Sequence, residues 1–256
     1  MTSLRDVVLV IPTKRLPPVH TIESLGVPKG VKTIIICHPS VFAAHRKYYR
    51  RHPLGNQVYV KLGVDGWAPQ VMECYRQARK FGAKYYFRLD DDLGPKTFLL
   101  KDRSHPSLKQ VMRWARECMD ECEVSLVGFQ NTSRLDWLGE GYGRSYALVT
   151  GAIQLCRAYK PEQMMNRKLE RYEDVWRSLA HRRRDGAVGR VRFVGIDKKS
   201  AHGNSMINIS EKQRKRAIRR IVNEFPDFIT YLGDKKDSHG TKYPHFRFKR
   251  HPDFRP

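Results

Sequence analysis

The stretch Tyr85-Tyr86-Phe87-Arg88-Leu89-Asp90-Asp91-Asp92 decides how this chain of 256 residues is interpreted. Its first five residues are mostly aromatic and apolar, which is typical of a β-strand, and three carboxylates follow at the strand's end. That much negative charge at one point is costly unless a cation offsets it. Asp90 and Asp92 flank one residue, so both can converge on one hard metal ion such as Mg²⁺ or Mn²⁺. The alternative is an acidic turn after an edge strand.

Apolar runs alternate with helical patterns in the first half of the chain. Residues 7–11 and 31–37 are typical of strands buried on both faces, and we expect Pro12 to end the first of them. Pro69 suits the first turn of a helix that ends near Gly82. Strands that alternate with helices predict an α/β fold, with a mostly parallel sheet flanked by helices.

The second half continues with one helix, a loop and several strands. The predicted elements are a helix at 107–122, a strand at 124–129, a glycine-rich loop at 139–145, strand segments at 146–150 and 152–155 around Gly151, and a strand at 191–196. Ser210 and Gln213 form a capping-box pair that opens a basic helix at 210–224. We expect one domain at 1–233, which includes this helix, and a basic aromatic tail at 234–256.

The net charge is +23, because 49 lysines and arginines face 26 acids. A charge that large favours a polyanionic partner, and its concentration in three clusters favours nucleic acid over a solvated basic face. The residues expected to contact DNA are Arg182, Arg183, Arg184, Lys212, Lys215, Arg216, Arg219, Lys235, Lys236, Arg247, Lys249 and Arg250. Aromatic residues interleave with the charges of the tail, where their rings can stack on bases.

Several classes of protein are disfavoured by the sequence. No apolar run approaches the roughly 20 residues of a membrane span, and we expect no signal peptide. The five cysteines are scattered and odd in number, which predicts reduced thiols in the cytoplasm and no structural zinc. The spacings of a P-loop, a zinc hydrolase and a zinc deaminase are missing.

A nucleotide site is expected where strands of the sheet end. In open α/β sheets, ligands bind beyond the carboxyl ends of the strands. Pro12, Thr13, Lys14 and Arg15 follow the first strand, and Asp65 precedes the first long helix. If these residues share an edge with the aspartate run, a nucleotide can lie across them, with Lys14 or Arg15 near its phosphates. The alternative for both cations is a solvated loop.

Two further positions carry candidate chemistry. Glu173 and Asp174 lie either within a continuous surface helix, as solvated acids, or at the start of a new helix. In the second interpretation a carboxylate there can act as a general base toward a hydroxyl group. His202 follows the last strand, and it is either a plain loop histidine or a third metal ligand beside the aspartates.

Taken in order, these segments resemble a GT-A glycosyltransferase of the family 2 type. Ile11-Pro12-Thr13 resembles the end of the first strand, where the nucleotide base binds. Residues 63–93 resemble the passage that leads to the Asp-x-Asp motif, which falls on Asp90 and Asp92. Glu173-Asp174 resembles the Glu-Asp motif, and His202 matches the place of the C-terminal metal-binding histidine. Gly151, or the loop at 139–143, corresponds to the glycine loop near donor and acceptor.

The resemblance covers roughly residues 7–204 and implies a mechanism. Asp90 and Asp92 hold a divalent metal, Mn²⁺ or Mg²⁺, against the diphosphate of the donor, with Asp91 among the donor contacts. Asp174 takes the proton of the acceptor hydroxyl, with Glu173 beside it, and the reaction inverts the anomeric carbon.

Within that fold, the size, the start at Ile11-Pro12-Thr13-Lys14 and the basic surface look most like DNA-base glycosyltransferases of phages, which include the TET/JBP-associated type. This likeness implies transfer from a nucleotide sugar, such as a UDP-sugar, to a hydroxymethylated pyrimidine in DNA, in the host cytoplasm. Three alternatives stay open. They are transfer to a lipid, glycan or protein, a non-catalytic nucleic-acid-binding module, and a metal-dependent nuclease.

Overall fold

The fold combines one large sheet, six helices and a C-terminal hairpin within the residues that the computed structural model describes, which are 3–159, 169, 172–197, 210–236 and 242–249. The strands are β1 (Val7–Thr13), β2 (Thr33–Cys37), β3 (Val58–Leu62), β4 (Tyr85–Leu89), β5 (Phe98–Leu99), β6 (Leu126–Gln130), β7 (Tyr142–Ser145), β8 (Ile153–Arg157), β9 (Val188–Ile196), β10 (Ile229–Lys236) and β11 (Lys242–Phe248). The helices are α1 (His20–Leu25), α2 (Pro39–Tyr49), α3 (Trp67–Lys80), α4 (Leu108–Glu121), α5 (Glu173–Asp185) and α6 (Glu211–Glu224), and a short 3₁₀ helix lies at Leu135–Trp137.

The large sheet has the strand order β3-β2-β1-β4-β8-β6-β9-β5, with β7 beside β9. Strands β1 to β4 pair in parallel, and so do β6 and β9. Since β8 is antiparallel to both β4 and β6, these six strands all point the same way. The predicted α/β fold with a mostly parallel sheet is therefore confirmed, and the carboxyl ends of β1, β2, β3, β4, β6 and β9 lie along one edge.

Both faces of the sheet are covered, which explains why its strands are continuous apolar runs. Along β1, Leu9 and Ile11 pack into a core cluster with residues of α2 and α4. Val8 and Val10 point the other way, as alternation along a strand requires, and pack with residues of α3. Helices therefore lie on both sides of the strand that ends at the candidate nucleotide site.

Several helix ends carry capping residues, of which the box at the start of α6 was predicted from the sequence. Ser107 caps α4 through a capping box with Gln110, and Ser210 caps α6 through the predicted box with Gln213. Gly186 ends α5 in a left-handed conformation, with φ of 76°, which glycine adopts without steric cost.

Three predictions from the sequence are wrong. Pro12 does not end β1, which continues to Thr13; its missing N–H lies beyond Val10, the last residue paired with β4. The predicted loop at 139–145 contains β7, which pairs with β9, whereas residues 146–150 form no strand. Glycines at this edge conceal the strand because they supply none of the side chains that mark one.

In the described part of the C-terminal segment, β10 and β11 pair as antiparallel strands. The predicted boundary at Gly233 falls inside β10. Phe246 and Phe248 pack, partly buried, against the cluster formed by α3, α5 and α6. Among the described residues, no helix is long and apolar enough to cross a membrane.

Candidate active site

The ends of β1 and β4 meet at the carboxyl edge of the sheet. The Thr13 hydroxyl donates a hydrogen bond to Asp91 Oδ2 at 2.5 Å. The Arg15 guanidinium donates to Asp92 Oδ2 at 2.9 Å, and its Nε lies 3.6 Å from Asp91 Oδ1. The predicted convergence of the segment after β1 with the aspartate run is thus present in the structure.

Asp91 lies within the protein and supports this edge. Only 6% of its side chain is exposed, against 28% for Asp90 and 26% for Asp92. Burial raises the pKa of Asp91, while the Thr13 hydrogen bond and the Arg15 charge lower it. Asp91 therefore fastens β4 to β1, and Asp90 and Asp92 are the carboxylates that a ligand in solution can reach.

Thr21, at the start of α1, holds the backbone of the aspartate run. Its hydroxyl donates to the Asp90 carbonyl at 2.6 Å and accepts from the Leu93 N–H at 2.9 Å. Its own N–H donates to the Asp91 carbonyl at 3.3 Å. A side chain that closes both ends of the turn fixes the spacing of the carboxylates between them.

Asp90 and Asp92 are the carboxylates at this edge that suit a divalent cation of the Mg²⁺ type. Within the described residues, no group of three or more acidic, histidine or cysteine side chains could hold a metal ion. Mg²⁺ and similar ions need no such cage when a phosphate ligand is present, because one or two carboxylates then suffice. Asp90 and Asp92 are the two carboxylates that could form that pair. His202, the predicted third ligand, lies outside the described residues.

A buried arginine connects the aspartate run to α5. Arg88, on β4, is fully buried, and its Nη1 lies 3.3 Å from Glu173 Oε1. Its Nη2 lies 3.7 Å from Asp90 Oδ1. Arg88 was not predicted as a site residue from the sequence, although one cation inside an apolar strand is an unusual signal.

Glu173 and Asp174 form the first turn of a helix that begins at Glu173. Tyr172 precedes them in the left-handed region, with φ of 63° and ψ of 33°, so α5 is not continued backward through Tyr172. Of the two interpretations, a new helix near Asp174 is therefore confirmed. Acids at this end interact favourably with the helix dipole.

Gly151 packs directly against this pair of acids. A Cβ atom on Gly151 would lie 2.9 Å from Glu173 Oε1, 3.4 Å from Asp174 Cβ and 3.7 Å from Arg88 Nη1. The first distance is too short for a carbon atom. The loop before β8 therefore approaches α5 closely only because residue 151 has no side chain.

Asp174 has the electrostatics of a proton acceptor that works near neutral pH. Burial and then the neighbouring Glu173 charge raise the pKa of Asp174 to about 6. Hydrogen bonds from the backbone of Val175 and Gly151 and the charge of Arg177 act in the opposite direction. A carboxyl with such a pKa is mostly ionised at pH 7 and yet basic enough to take up a proton.

Lys14, His38 and Asp65 lie at the ends of β1, β2 and β3. His38 Nε2 is 3.0 Å from Asp65 Oδ1, and this hydrogen bond is the main cause of the lowered pKa of Asp65. The charge of Lys14 contributes in the same direction. His38 was missed in the sequence because a single histidine after a strand has no distinctive spacing, and it joins the predicted Lys14 and Asp65 at this edge.

The predicted DNA-binding cations do not all face solvent. Arg182 is 1% exposed, donates to the Lys249 carbonyl at 2.6 Å, and lies over the Tyr146 and Phe228 rings. The prediction that Arg182 contacts phosphate is therefore wrong, because its guanidinium is committed to the core. Arg184 is paired with Asp185 at 2.8 Å.

The other cations of this set whose side chains are described lie on the surface. Lys212, Lys215, Arg216 and Arg219 are exposed on α6, and Arg183, Lys235, Arg247 and Lys249 are exposed around it. A shallow groove of about 460 Å³ is lined by Arg216, Arg219, Arg220, Asn223 and Glu224. The Lys236 side chain and all of Arg250 lie outside the described part of the chain.

No protein-family model and no curated protein matches this chain. It is similar to several solved structures. A cytidylyltransferase from Leptospira borgpetersenii has a TM-score of 0.40 and 12% identity, over 65% of this chain and 68% of that one. A mannosyltransferase from Pyrobaculum calidifontis, in complex with GDP-Man and Mn²⁺, has a TM-score of 0.37 and 12% identity, over 59% and 44%.

A third structure, CMP:2-keto-3-deoxy-manno-octonic acid synthetase complexed with CTP, has a TM-score of 0.39 and 12% identity, over 85% of this chain and 98% of that one. These similarities are distant.

Proposed function

We propose that the protein is a metal-dependent, inverting glycosyltransferase of the GT-A type, which moves a sugar from a nucleotide donor to a hydroxymethylated pyrimidine base in DNA. The observation that carries the proposal is the contact of Arg88 with both Asp90 and Glu173. Through it, a pair of accessible carboxylates suited to a diphosphate's metal lies next to a carboxyl poised to accept a proton. Neither an acidic turn nor a plain surface helix accounts for that arrangement.

The donor is expected along the edge formed by β1, β3 and β4. The half-exposed Arg15 lies beside Asp91 and Asp92, where it can turn to the phosphates of a UDP-sugar. Lys14 is exposed directly before it, and its charge acts on Asp65. Pro12 and Thr13 are buried in the strand end beneath them, and Asp65 lies exposed nearby with His38. Asp90 and Asp92 would hold a divalent cation, which offsets charge on the departing diphosphate.

Asp174 is assigned as the general base. Its carboxylate takes the proton of the acceptor hydroxyl while that oxygen forms a bond to the anomeric carbon. The bond between this carbon and the donor's phosphate oxygen breaks at the same time, and the electron pair leaves with the nucleoside diphosphate. Attack from the face opposite the leaving group inverts the carbon. Glu173 is assigned a supporting part, because its carboxylate is bound to Arg88.

The charge on α6 supports DNA as the acceptor. The exposed cations belong to a segment that packs on α5, since Ile221 and Phe225 share a core cluster with Val175 and Trp176. A polyanion on that surface therefore lies near the helix that begins with Glu173 and Asp174. A hydroxymethyl group of a duplex base is buried in the major groove, so the enzyme must enter the groove or evert the base.

Release of nucleoside diphosphate from a panel of nucleotide sugars tests the proposal, with hydroxymethylpyrimidine DNA and unmodified DNA as alternative acceptors. We expect release only with the modified DNA, with Mn²⁺ or Mg²⁺ present, and its loss with excess EDTA or in Asp92→Ala. Full release in EDTA would refute the metal's part. Release of nucleoside diphosphate with a glycan or lipid acceptor instead of DNA would refute the proposal that DNA is the acceptor. Cleavage of the DNA itself would indicate a nuclease.

A further inference from the structure

Arg88 carries a positive charge on a side chain that is buried away from solvent. The residues around it on β4 are Tyr86, Phe87 and Leu89, all buried, and the side chain of Arg88 has no exposed surface. An arginine loses its hydration in such a position, so it persists only where carboxylates or other acceptors replace the water.

The carboxylates that replace the water come from two segments that are far apart in sequence. Asp90 follows the last residue of β4, and its Oδ1 lies 3.7 Å from Arg88 Nη2. Glu173 is 85 positions away, at the start of α5. The Glu173 side chain is 7% exposed and the Asp90 side chain is 28% exposed. The guanidinium therefore contacts both a buried carboxylate and a carboxylate that solvent reaches.

Gly151, in the loop before β8, packs against the ion pair of Arg88 and Glu173. Because a Cβ atom there would collide with Glu173 Oε1 and approach Arg88 Nη1, the contact of three segments is tight. The Glu173 carboxylate has little room to move without moving the first turn of α5, and Asp174 is in that turn.

We propose that Arg88 is a positioning residue: through one guanidinium it fixes Asp90 of the donor site and Glu173 at the start of α5, and so sets the distance from donor to Asp174. The parts given to Asp90 and Asp174 rest on the proposed function. In this proposal Arg88 acts through these carboxylates and not by contact with donor or acceptor, since its side chain has no exposed surface. A planar fork is needed for this, and a lysine, with one ammonium group, cannot bind both carboxylates in the same geometry.

A plain buried ion pair predicts different behaviour. If Arg88 only neutralises Glu173, the neutral pair Arg88→Gln with Glu173→Gln restores stability and turnover together, relative to Arg88→Gln alone. If Arg88 positions two sites, the double variant recovers melting temperature but not turnover, because Asp90 is still without its guanidinium partner. Recovery of turnover in the double variant would overturn the proposal.

The conservative variant Arg88→Lys gives a second test. We expect kcat to fall about 10²-fold, as a misplacement near 1 Å can cause, while KM for the donor changes less than about threefold. Arg190→Lys is the matched control, since Arg190 is also buried but donates to the carbonyls of Phe129 and Leu148 rather than to carboxylates. An equal loss of kcat in both variants would overturn the proposal.

Hydrogen exchange gives a readout that needs no activity. In Arg88→Lys, we expect the amides of residues 172–178 to exchange about tenfold faster, while those near Asp185 keep their rates. The control Arg190→Lys should leave residues 172–178 unchanged. Unaltered exchange at the start of α5 in Arg88→Lys would overturn the positioning role. If the unmodified protein transfers no sugar, the proposed function fails, and the exchange data still decide whether Arg88 holds α5.

Discussion

The Thr13 hydroxyl and the Asp91 carboxylate are joined by a 2.5 Å hydrogen bond between residues 78 positions apart. The bond ties the ends of two neighbouring parallel strands together at the edge where Asp90 and Asp92 are accessible. It explains why the middle aspartate of the run is buried, and why it differs in role from its two neighbours.

Replacement of Thr13 by valine keeps the shape of the side chain and removes this donor. Because Asp91 is buried, we expect a loss of about 1–3 kcal/mol in the free energy of unfolding. Thr33→Val is the matched control, since the buried Thr33 hydroxyl has no hydrogen-bond partner among the described residues. It should be neutral or slightly stabilising. Denaturant unfolding of both variants measures the difference, and equal stabilities would contradict the role given to Thr13.

The pKa of Asp174 predicts the acid side of the pH profile. Asp174 is protonated below its pKa of about 6 and cannot accept a proton there, so kcat should fall as pH drops through about 6. In Glu173→Gln the neighbouring negative charge is gone, so the pKa of Asp174 falls and the acid limb moves to lower pH. Profiles of kcat from about pH 4.5 to 8 cover the acid limb of both the unmodified protein and Glu173→Gln. An acid limb at the same pH in both proteins would contradict the coupling of Asp174 to Glu173.

Asp174→Asn should separate activity from stability. The usual pKa of an aspartate is near 3.8, so the folded state loses stability between about pH 4 and 6, as the unfolded chain ionises first. The asparagine variant lacks this loss, and at pH 7 its melting temperature should equal or exceed that of the unmodified protein. Its turnover should fall about 10²–10⁴-fold. Thermal melts at pH 4 and 7 provide the check, and a lower melting temperature at pH 7 would be the contrary result.

The basic face of α6 can be tested by charge reversal. Changing Lys215, Arg216 and Arg219 to glutamate should weaken DNA binding and lower the slope of log K against log salt by about one for each phosphate that is no longer bound. A control with the same charge change reverses Lys29 and Lys32, which are exposed before β2, and Lys109, which is exposed on α4. Titrations at several salt concentrations compare the two. Equal weakening of DNA binding would indicate a general charge effect rather than a site on α6.

The sequence predicts the first half of the sheet well, because parallel strands covered on both faces are continuous apolar runs. The cap of α6 is a local signal, which the pair Ser210 and Gln213 is enough to predict. The hairpin of β10 and β11 was missed, since its charged residues resemble a solvated tail. The hairpin folds because Phe246 and Phe248 pack against a hydrophobic cluster of residues from α3, α5 and α6.

The residue types of the candidate site can be predicted from the sequence, but the contacts between its side chains cannot. The order of Asp90, Asp92, Glu173 and Asp174 along the chain indicates which side chains can carry chemistry. It does not show that Arg88 joins two of them, since that contact depends on how β4 and α5 pack. Arg182 was misassigned for a similar reason: within a run of three arginines, only the position on the helix decides which one faces the core.

The most direct test of the account is mass spectrometry of nucleosides from hydroxymethylpyrimidine DNA, digested after incubation with the protein, Mn²⁺ and a panel of nucleotide sugars. We predict that one donor adds the mass of a single sugar residue to the hydroxymethyl nucleoside, and that Asp174→Asn leaves the nucleoside unmodified under the same conditions. An unchanged nucleoside with every donor, or full modification by Asp174→Asn, would contradict the account.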